Sequence, residues 1–189
     1  MAALKLETDR LILRKYENSD MEALYRLLKD EEVNIFLPWF PVKNMEETKE
    51  FFQKRFSDKK YSFAICRKDN DPIGYVKTET DDSYDFGYAL RKEFWHKGIV
   101  TEAGKVLIRQ LKKDGVPYIT ATHDRNNPRS GSVMRNLGMR YCYSYEEQWQ
   151  PKNIPVTFRM FQLNFDGQED RIYQKYWNLY DTHFVECDI

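Results

Sequence analysis

From Asp85 to Ala103 the chain spells a strand, a short basic turn with one glycine, and the start of a helix. Phe86, Tyr88 and Leu90 alternate with smaller residues, as a half-buried strand requires. After Gly98, the positions Val100, Ala103, Leu107 and Leu111 recur at helical spacing. Lys112 and Lys113 occupy the last turn, and Gly115 offers a left-handed stop. A helix therefore opens between Lys97 and Thr101. Its first turn presents backbone N–H groups with no partner inside the helix, at the positive end of the dipole. His96 and Lys97 add side-chain donors beside it. A phosphate or pyrophosphate is the ligand such an end favours, although glycine between a strand and a helix is also common punctuation.

Composition bounds what this unit belongs to. The 189 residues are 41% hydrophobic and 32% charged, which suits one globular domain with a full core. Thirty basic residues balance thirty acidic ones, so no strong basic field is available and nucleic acid is not expected as a partner. Cys66, Cys142 and Cys187 are sparse and odd in number, which argues against a disulfide scaffold and against a zinc site; no metal is expected. No signal peptide is read at Met1 and no apolar run reaches the ~20 residues of a membrane span, so a cytoplasmic protein is expected. Aromatic residues make up 15%, which reads first as a wide aromatic core and second as an aromatic-lined pocket.

In chain order, Leu4 to Tyr16 reads as one strand, with Leu11 and Leu13 on one face and Ile12 on the other. Ser19-Asp20-Met21-Glu22 has the form of a capping box before an amphipathic helix carrying Leu24, Leu27 and Leu28. Pro38 and Pro41 interrupt regular structure around Phe36, Trp39 and Phe40. A second helix, capped at Asn44, carries Phe51, Phe52 and Phe56. Strands follow at Tyr61–Arg67, Ile73–Thr80 and Ser83–Leu90, joined by short turns as an antiparallel meander. Tyr118–Thr122 is expected parallel to the Ser83–Leu90 strand through a right-handed crossover. Pro128 opens a further helix that ends at Gly138, and Met139–Trp149 pairs with Pro155–Leu163 in a closing hairpin. The result is α+β: a mixed, mostly antiparallel sheet flanked by helices. Past residue 165, Tyr173, Tyr176, Trp177, Leu179 and Tyr180 form an aromatic helix face for the domain or a second subunit.

Three strings carry a family resemblance: Leu6-Glu7-Thr8-Asp9-Arg10-Leu11-Ile12-Leu13-Arg14; Asp85-Phe86-Gly87-Tyr88 with Trp95-His96-Lys97-Gly98-Ile99-Val100-Thr101-Glu102-Ala103; and Asn127-Pro128-Arg129-Ser130-Gly131-Ser132-Val133-Met134-Arg135-Asn136-Leu137-Gly138-Met139. The chain resembles the GNAT superfamily of N-acetyltransferases, in its RimJ/RimL-like branch. The resemblance covers residues 1–164 as the acetyltransferase domain and leaves 165–189 as a tail that packs on the domain or a partner. It departs from the family pattern at His96 and Val100, which place bulk near the pyrophosphate position.

The resemblance implies the GNAT-type fold, with a seven-stranded sheet splayed at its centre. It also implies acetyl transfer from acetyl-CoA to a primary amine by direct attack in a ternary complex. The acceptor would be a protein N-terminal α-amino group or a small-molecule amine, and the protein a monomer or homodimer. A cofactor set of Tyr88, Ala89, Leu90, His96, Lys97, Gly98, Ile99, Val100, Thr101, Asn127, Ser130 and Arg135 follows from it. Phe36, Trp39 and Phe40 would form an acceptor wall. The general-acid tyrosine of many relatives falls here on Met134, so Ser130 stands in beside the sulfur. Asp85 is the candidate base, with Glu79, Glu146 and Glu147 in reserve. Asn127 and Gly138 are also good helix caps on local grounds, and His123 has no partner visible in the sequence. The rival reading is a non-catalytic acyl-CoA-binding or sensor module on the same fold, motivated by Val100 and Met134.

Overall fold

The computed structural model describes residues 4–187 and 189. Its elements run β1 (Leu6–Glu7), β2 (Leu11–Arg14), α1 (Met21–Leu28), α2 (Glu31–Asn34), α3 (Met45–Arg55), β3 (Tyr61–Arg67), β4 (Pro72–Thr78) and β5 (Phe86–Leu90) in the first half. The second half holds α4 (Ile99–Lys113), β6 (Tyr118–Asp124), α5 (Pro128–Asn136), β7 (Arg140–Trp149), β8 (Ile154–Asn164), α6 (Lys175–Leu179) and β9 (His183–Phe184).

Alternation of apolar residues makes the first five strands an antiparallel sheet in sequence order. The second sheet has the order β6-β8-β7-β9, also antiparallel. The two meet side by side at one parallel bridge, Asp85 to Thr120, and diverge beyond it. The expected parallel neighbour of β5 is thus present but touches it at one residue pair, and this divergence is the splay. The described strands number nine rather than seven. The first strand breaks at Thr8, whose hydroxyl accepts from the Leu11 amide at 2.8 Å and turns the chain. The tail adds β9, which pairs with β7 through Ser144 and Tyr145.

Leu11 and Leu13 face one core with α4, while Ile12 faces another with α1 and the β2–β3 side. Burying such side chains stabilises the fold by roughly 1.5–3 kcal/mol each. α4 lies close on β5 because Gly104 has no side chain: a Cβ there would stand 2.8 Å from Leu137 Cδ2 and 3.1 Å from Phe86 Cζ. Asn44 caps α3 as expected, accepting from the Glu47 amide at 2.9 Å. The capping box expected at Ser19–Glu22 does not form. Asn18–Asp20 is a 3₁₀ turn, and the Asp20 carboxylate accepts instead from the Glu17 amide (2.7 Å) and from Arg14 (2.6 and 2.9 Å). The carboxylate thus closes a capping box two residues earlier, with Glu17 as N-cap, and at the same time neutralises the buried guanidinium.

The residues after 164 return to the second sheet. Tyr173, Tyr176, Trp177 and Tyr180 pack with Tyr143, Tyr145 and Phe158 in a third, aromatic cluster. Leu179 points away and is 61% exposed.

Candidate active site

The splay opens a cavity of about 1180 Å³ that runs from the start of α4 across to the loop before Trp39. β5 divides it. Arg91 N bonds Ile73 O (2.9 Å) and Glu79 N bonds Asp85 O (3.0 Å), so the odd-numbered residues of β5 direct their N–H and C=O to β4. The backbone groups of Tyr88 and Leu90 face the free edge of the cleft. Those of Ala89 belong to the β4 ladder opposite Tyr75, which corrects the expectation that Ala89 offers backbone bonds there. The Leu90 carbonyl is already taken by the Trp95 indole N–H at 2.7 Å.

At one mouth, Gly98 is the N-cap of α4 with φ +69 and no side-chain cap. Glu102 N is the first amide to find its helical carbonyl, on Gly98 at 3.0 Å. The amides of Ile99, Val100 and Thr101 are therefore free to meet an anion. Val100 packs in the core, 9% exposed, and also lines the cavity at this end. Ile99 is likewise a core residue and does not line the cavity. His96 is exposed and lines it. Lys97 does not, because its ammonium donates to the Glu93 carbonyl at 2.8 Å. The Thr8–Arg10 turn braces this mouth: Arg10 Nε donates to Glu102 at 2.6 Å and its Nη1 to the Lys97 carbonyl at 3.1 Å.

Across the cleft, Asn127 caps α5, its Oδ1 accepting from the Ser130 amide at 3.4 Å. The Tyr88 hydroxyl reaches Ser130 from β5, 2.6 Å from its Oγ and 3.0 Å from its carbonyl oxygen. Burial holds the Tyr88 phenol above its ordinary range, while the Ser130 bond pulls the other way. Met134, at the position where the resemblance would put a general-acid tyrosine, is 1% exposed and belongs to the core. Arg135 lies outside the cavity with its guanidinium over the Phe161 ring. Arg129, six residues earlier in the first turn of α5, lines the cavity with its guanidinium over Trp95. Sequence reading passed over Arg129, Trp95 and the Tyr88 side chain. Only the position of Arg129 in the first turn of α5 could have signalled the first. His123 is buried and packs at a tilt against Phe161, with Nδ1 against the Asp124 carbonyl at 2.8 Å and no hydrogen-bond partner at Nε2 among the described residues.

The opposite face of β5 looks to the other side of the cavity. Asp85 stands there, half-buried, on the same face as Tyr75, Lys77 and Glu79. Burial pushes its carboxyl up to about 6, against a smaller pull from Lys77. Lys77 is engaged by Glu79 at 2.5 Å. Glu147 also lines the cavity, whereas Glu146 is exposed and outside it. Phe36 and Trp39 line it too. Trp39 is fixed by its indole N–H to Asn34 Oδ1 (2.8 Å) and by an edge contact on Phe51. Phe40 is 60% exposed and lies outside the lining, so of the three residues expected in an acceptor wall only Phe36 and Trp39 reach the cavity.

With this geometry in place, the comparisons with known proteins are specific. Residues 10–140 match the family described as Acetyltransferase (GNAT) domain. The N-acetyltransferase YnaD of Bacillus subtilis (strain 168) is 28% identical over 142 residues, covering 72% of this chain and 83% of its own. A GNAT-family acetyltransferase structure from Bacillus anthracis superposes with TM-score 0.77 at 22% identity, covering 86% of this chain and 99% of that one. RimL, the ribosomal L7/L12 α-N-protein acetyltransferase in complex with coenzyme A, gives TM-score 0.72 at 18% identity, covering 86% and 99%. The chain belongs to the GNAT acetyltransferase family. It is an acetyl-CoA-dependent N-acetyltransferase acting on amines.

Proposed function

We propose that acetyl transfer runs across β5, with Asp85 as base on one face and the Tyr88–Ser130 hydroxyl pair as proton donor on the other. The observation that carries this reading is that pair: it puts a hydroxyl hydrogen, 2.6 Å from a second hydroxyl, at the splay, where Met134 offers none. The residues present suit acetyl-CoA. Three free amides at the start of α4, the open Gly98 and the Arg129 guanidinium suit its pyrophosphate, and the free edge of β5 suits a pantetheine arm. Bound there, it supplies an acetyl thioester. Ionised Asp85 takes one proton from the substrate ammonium and passes it to solvent. The neutral nitrogen then bonds the acetyl carbon as the C–S bond breaks with its electrons on sulfur. Tyr88 gives its proton to the sulfur, and the second nitrogen proton restores Tyr88 through Ser130. The N–H groups of Tyr88 or Leu90, on the free edge, stabilise charge on the carbonyl oxygen as it develops.

Residues 1–164 are the catalytic domain in this reading, the branch is RimJ/RimL-like, and the three free thiols suit a reducing cytoplasm. Against the sensor alternative stand the core packing of Val100 and a Tyr88 hydroxyl that takes the part proposed here for the missing tyrosine. Thermal unfolding with acetyl-CoA, CoA and ATP, followed by thiol release with amines, tests the assignment. Acetyl-CoA and CoA at ~100 times Kd raise Tm by the equivalent of about 2.7 kcal/mol while ATP does not. Tyr88→Phe lowers kcat by about 10²-fold with acetyl-CoA affinity intact. An equal loss in both would remove Tyr88 from the chemistry.

A further inference from the structure

The tail is where motif reading ends, yet two of its residues stand in the cavity. α6 presents Tyr176 and Tyr180, one turn apart, to Tyr145 of β7. Their rings stack on it at 5.1 and 4.8 Å with interplanar angles of 19° and 8°. Trp149 and Phe158 continue the same wall, edge to face at 5.4 Å. All five rings line the cavity on the Asp85 side.

Two ties bound this side. Lys152, in the β7–β8 turn, donates to the carbonyls of Asn34 (2.6 Å) and Ile35 (2.7 Å), clasping the second sheet to the loop before Trp39. At the other end, Lys175 meets Asp82 at 3.5 Å and the Tyr118 hydroxyl donates to the Asp82 carbonyl at 2.5 Å, holding the tail region to the β4–β5 turn. The acceptor side is therefore spanned at both ends.

Its charges nearly cancel. Glu79 is paired with Lys77, and Glu32 with Lys92 at 2.8 Å. Asp85 and Glu147 remain, against Arg55, whose guanidinium lies over Trp39. That leaves one negative charge among aromatic rings. Rings attract both a flat apolar body and a cation, and one net charge matches one ammonium. A polyamine would leave further ammonium groups without carboxylates, and an extended polypeptide would have to pass the clasp.

We infer that the acceptor is a small monoamine carried on an aromatic body, with Tyr176 and Tyr180 of the tail forming part of its binding wall. This rests on the acetyl-transfer reading above. The test uses the full chain and acetyl-CoA, with thiol release measured for 2-phenylethylamine, tyramine and tryptamine beside spermidine and an alanine-initiated decapeptide. The aryl amines give kcat/KM at least ~100-fold above both others. The double variant Tyr176→Ala/Tyr180→Ala raises KM for the aryl amines about tenfold, while acetyl-CoA Kd, read by thermal shift, stays within about twofold. Tyr176→Phe/Tyr180→Phe, which keeps the rings, restores KM, and Leu179→Ala on the outward face leaves it unmoved. Preference for spermidine or the peptide, or an unchanged KM in the double alanine variant, overturns the inference while transfer itself stands. No stabilisation by acetyl-CoA and no thiol release with any amine would bring down the transfer reading and this one with it.

Discussion

Replacing Glu186 by glutamine should free the tail without unfolding the domain. The Glu186 carboxylate accepts from Arg159 Nε at 2.9 Å, from Arg159 Nη2 and from the Ser144 hydroxyl at 2.6 Å, while its amide donates to the Tyr141 hydroxyl at 3.0 Å. The Arg159 guanidinium holds this carboxyl at about 2, from an ordinary 4.5. The difference, 4.5 − 2 = 2.5, corresponds at 1.36 kcal/mol per unit to about 3 kcal/mol favouring the docked, ionised form. Because the docked value is depressed, this stabilisation is fully present above pH 4.5 and disappears as pH falls towards 2. Glutamine keeps an acceptor but loses the charge and leaves the half-buried Arg159 without an anion, so ~2–3 kcal/mol of docking should go. Exchange of the Glu146 amide, which donates to Thr182 O at 2.9 Å, reports tail opening. At pH 7 it should quicken roughly 30- to 100-fold in the variant, while amides of β3 stay as they were. The gap between the two chains should narrow below pH 4.5. KM for the amine should rise with acetyl-CoA affinity unchanged. Equal Glu146 exchange in both chains at pH 7 would show that the ion pair does not hold the tail.

Three further outcomes follow from the site. The Asp85 base must be ionised to act, so kcat/KM should fall as pH drops through about 6. In Asp85→Asn that limb should vanish with a loss of about 10²-fold or more, and a limb that persists would assign the base elsewhere. Gly98→Glu puts an anion at a left-handed N-cap beside the expected pyrophosphate; acetyl-CoA Kd should rise about tenfold or more, as a thermal-shift titration would read. Gly131→Ala sets a Cβ 2.7 Å from Nε2 of the buried His123 ring. Overpacking of about 1–3 kcal/mol should exceed the ~1 kcal/mol gain in helix propensity, and a more stable variant in urea unfolding would contradict this.

Much of this architecture could be read before the fold was known, because its signals are local. The α4 cap at Gly98, the Asn44 cap on α3 and the period-two strands each depend on neighbours within a few residues. Readings failed where a side chain had two partners to choose from. Asp20 closes the capping box, with Glu17 and not Ser19 as its N-cap, because it can bond the Glu17 amide and Arg14 together, and Lys97 chose the Glu93 carbonyl over an anion site. Phe40 follows Trp39 directly, but only Trp39 has Asn34 to receive its N–H. The tail carried an aromatic period without any indication of which sheet it would meet.

β5 shows why the chemistry was harder to read than the fold. Side chains and backbone groups of a strand both alternate with period two. Phe86, Tyr88 and Leu90 therefore announce their shared face in the sequence, and Asp85 is assigned to the opposite one. Which of the two sets turns its N–H and C=O to the cleft is decided by the pairing with β4, here by Arg91 on Ile73 and Glu79 on Asp85. A shift of that pairing by one residue would give Ala89, not Tyr88 and Leu90, to the free edge, and would carry Phe86, Tyr88 and Leu90 to the other face of the sheet as well. The meeting of Tyr88 with Ser130 is set by the same kind of distant constraint. It needs α4 seated closely enough on Phe86, through Gly104, for α5 to stand within reach of the Tyr88 hydroxyl. A hydroxyl pair assembled from two strings 42 residues apart, the proton donor proposed above, leaves no mark in either string alone.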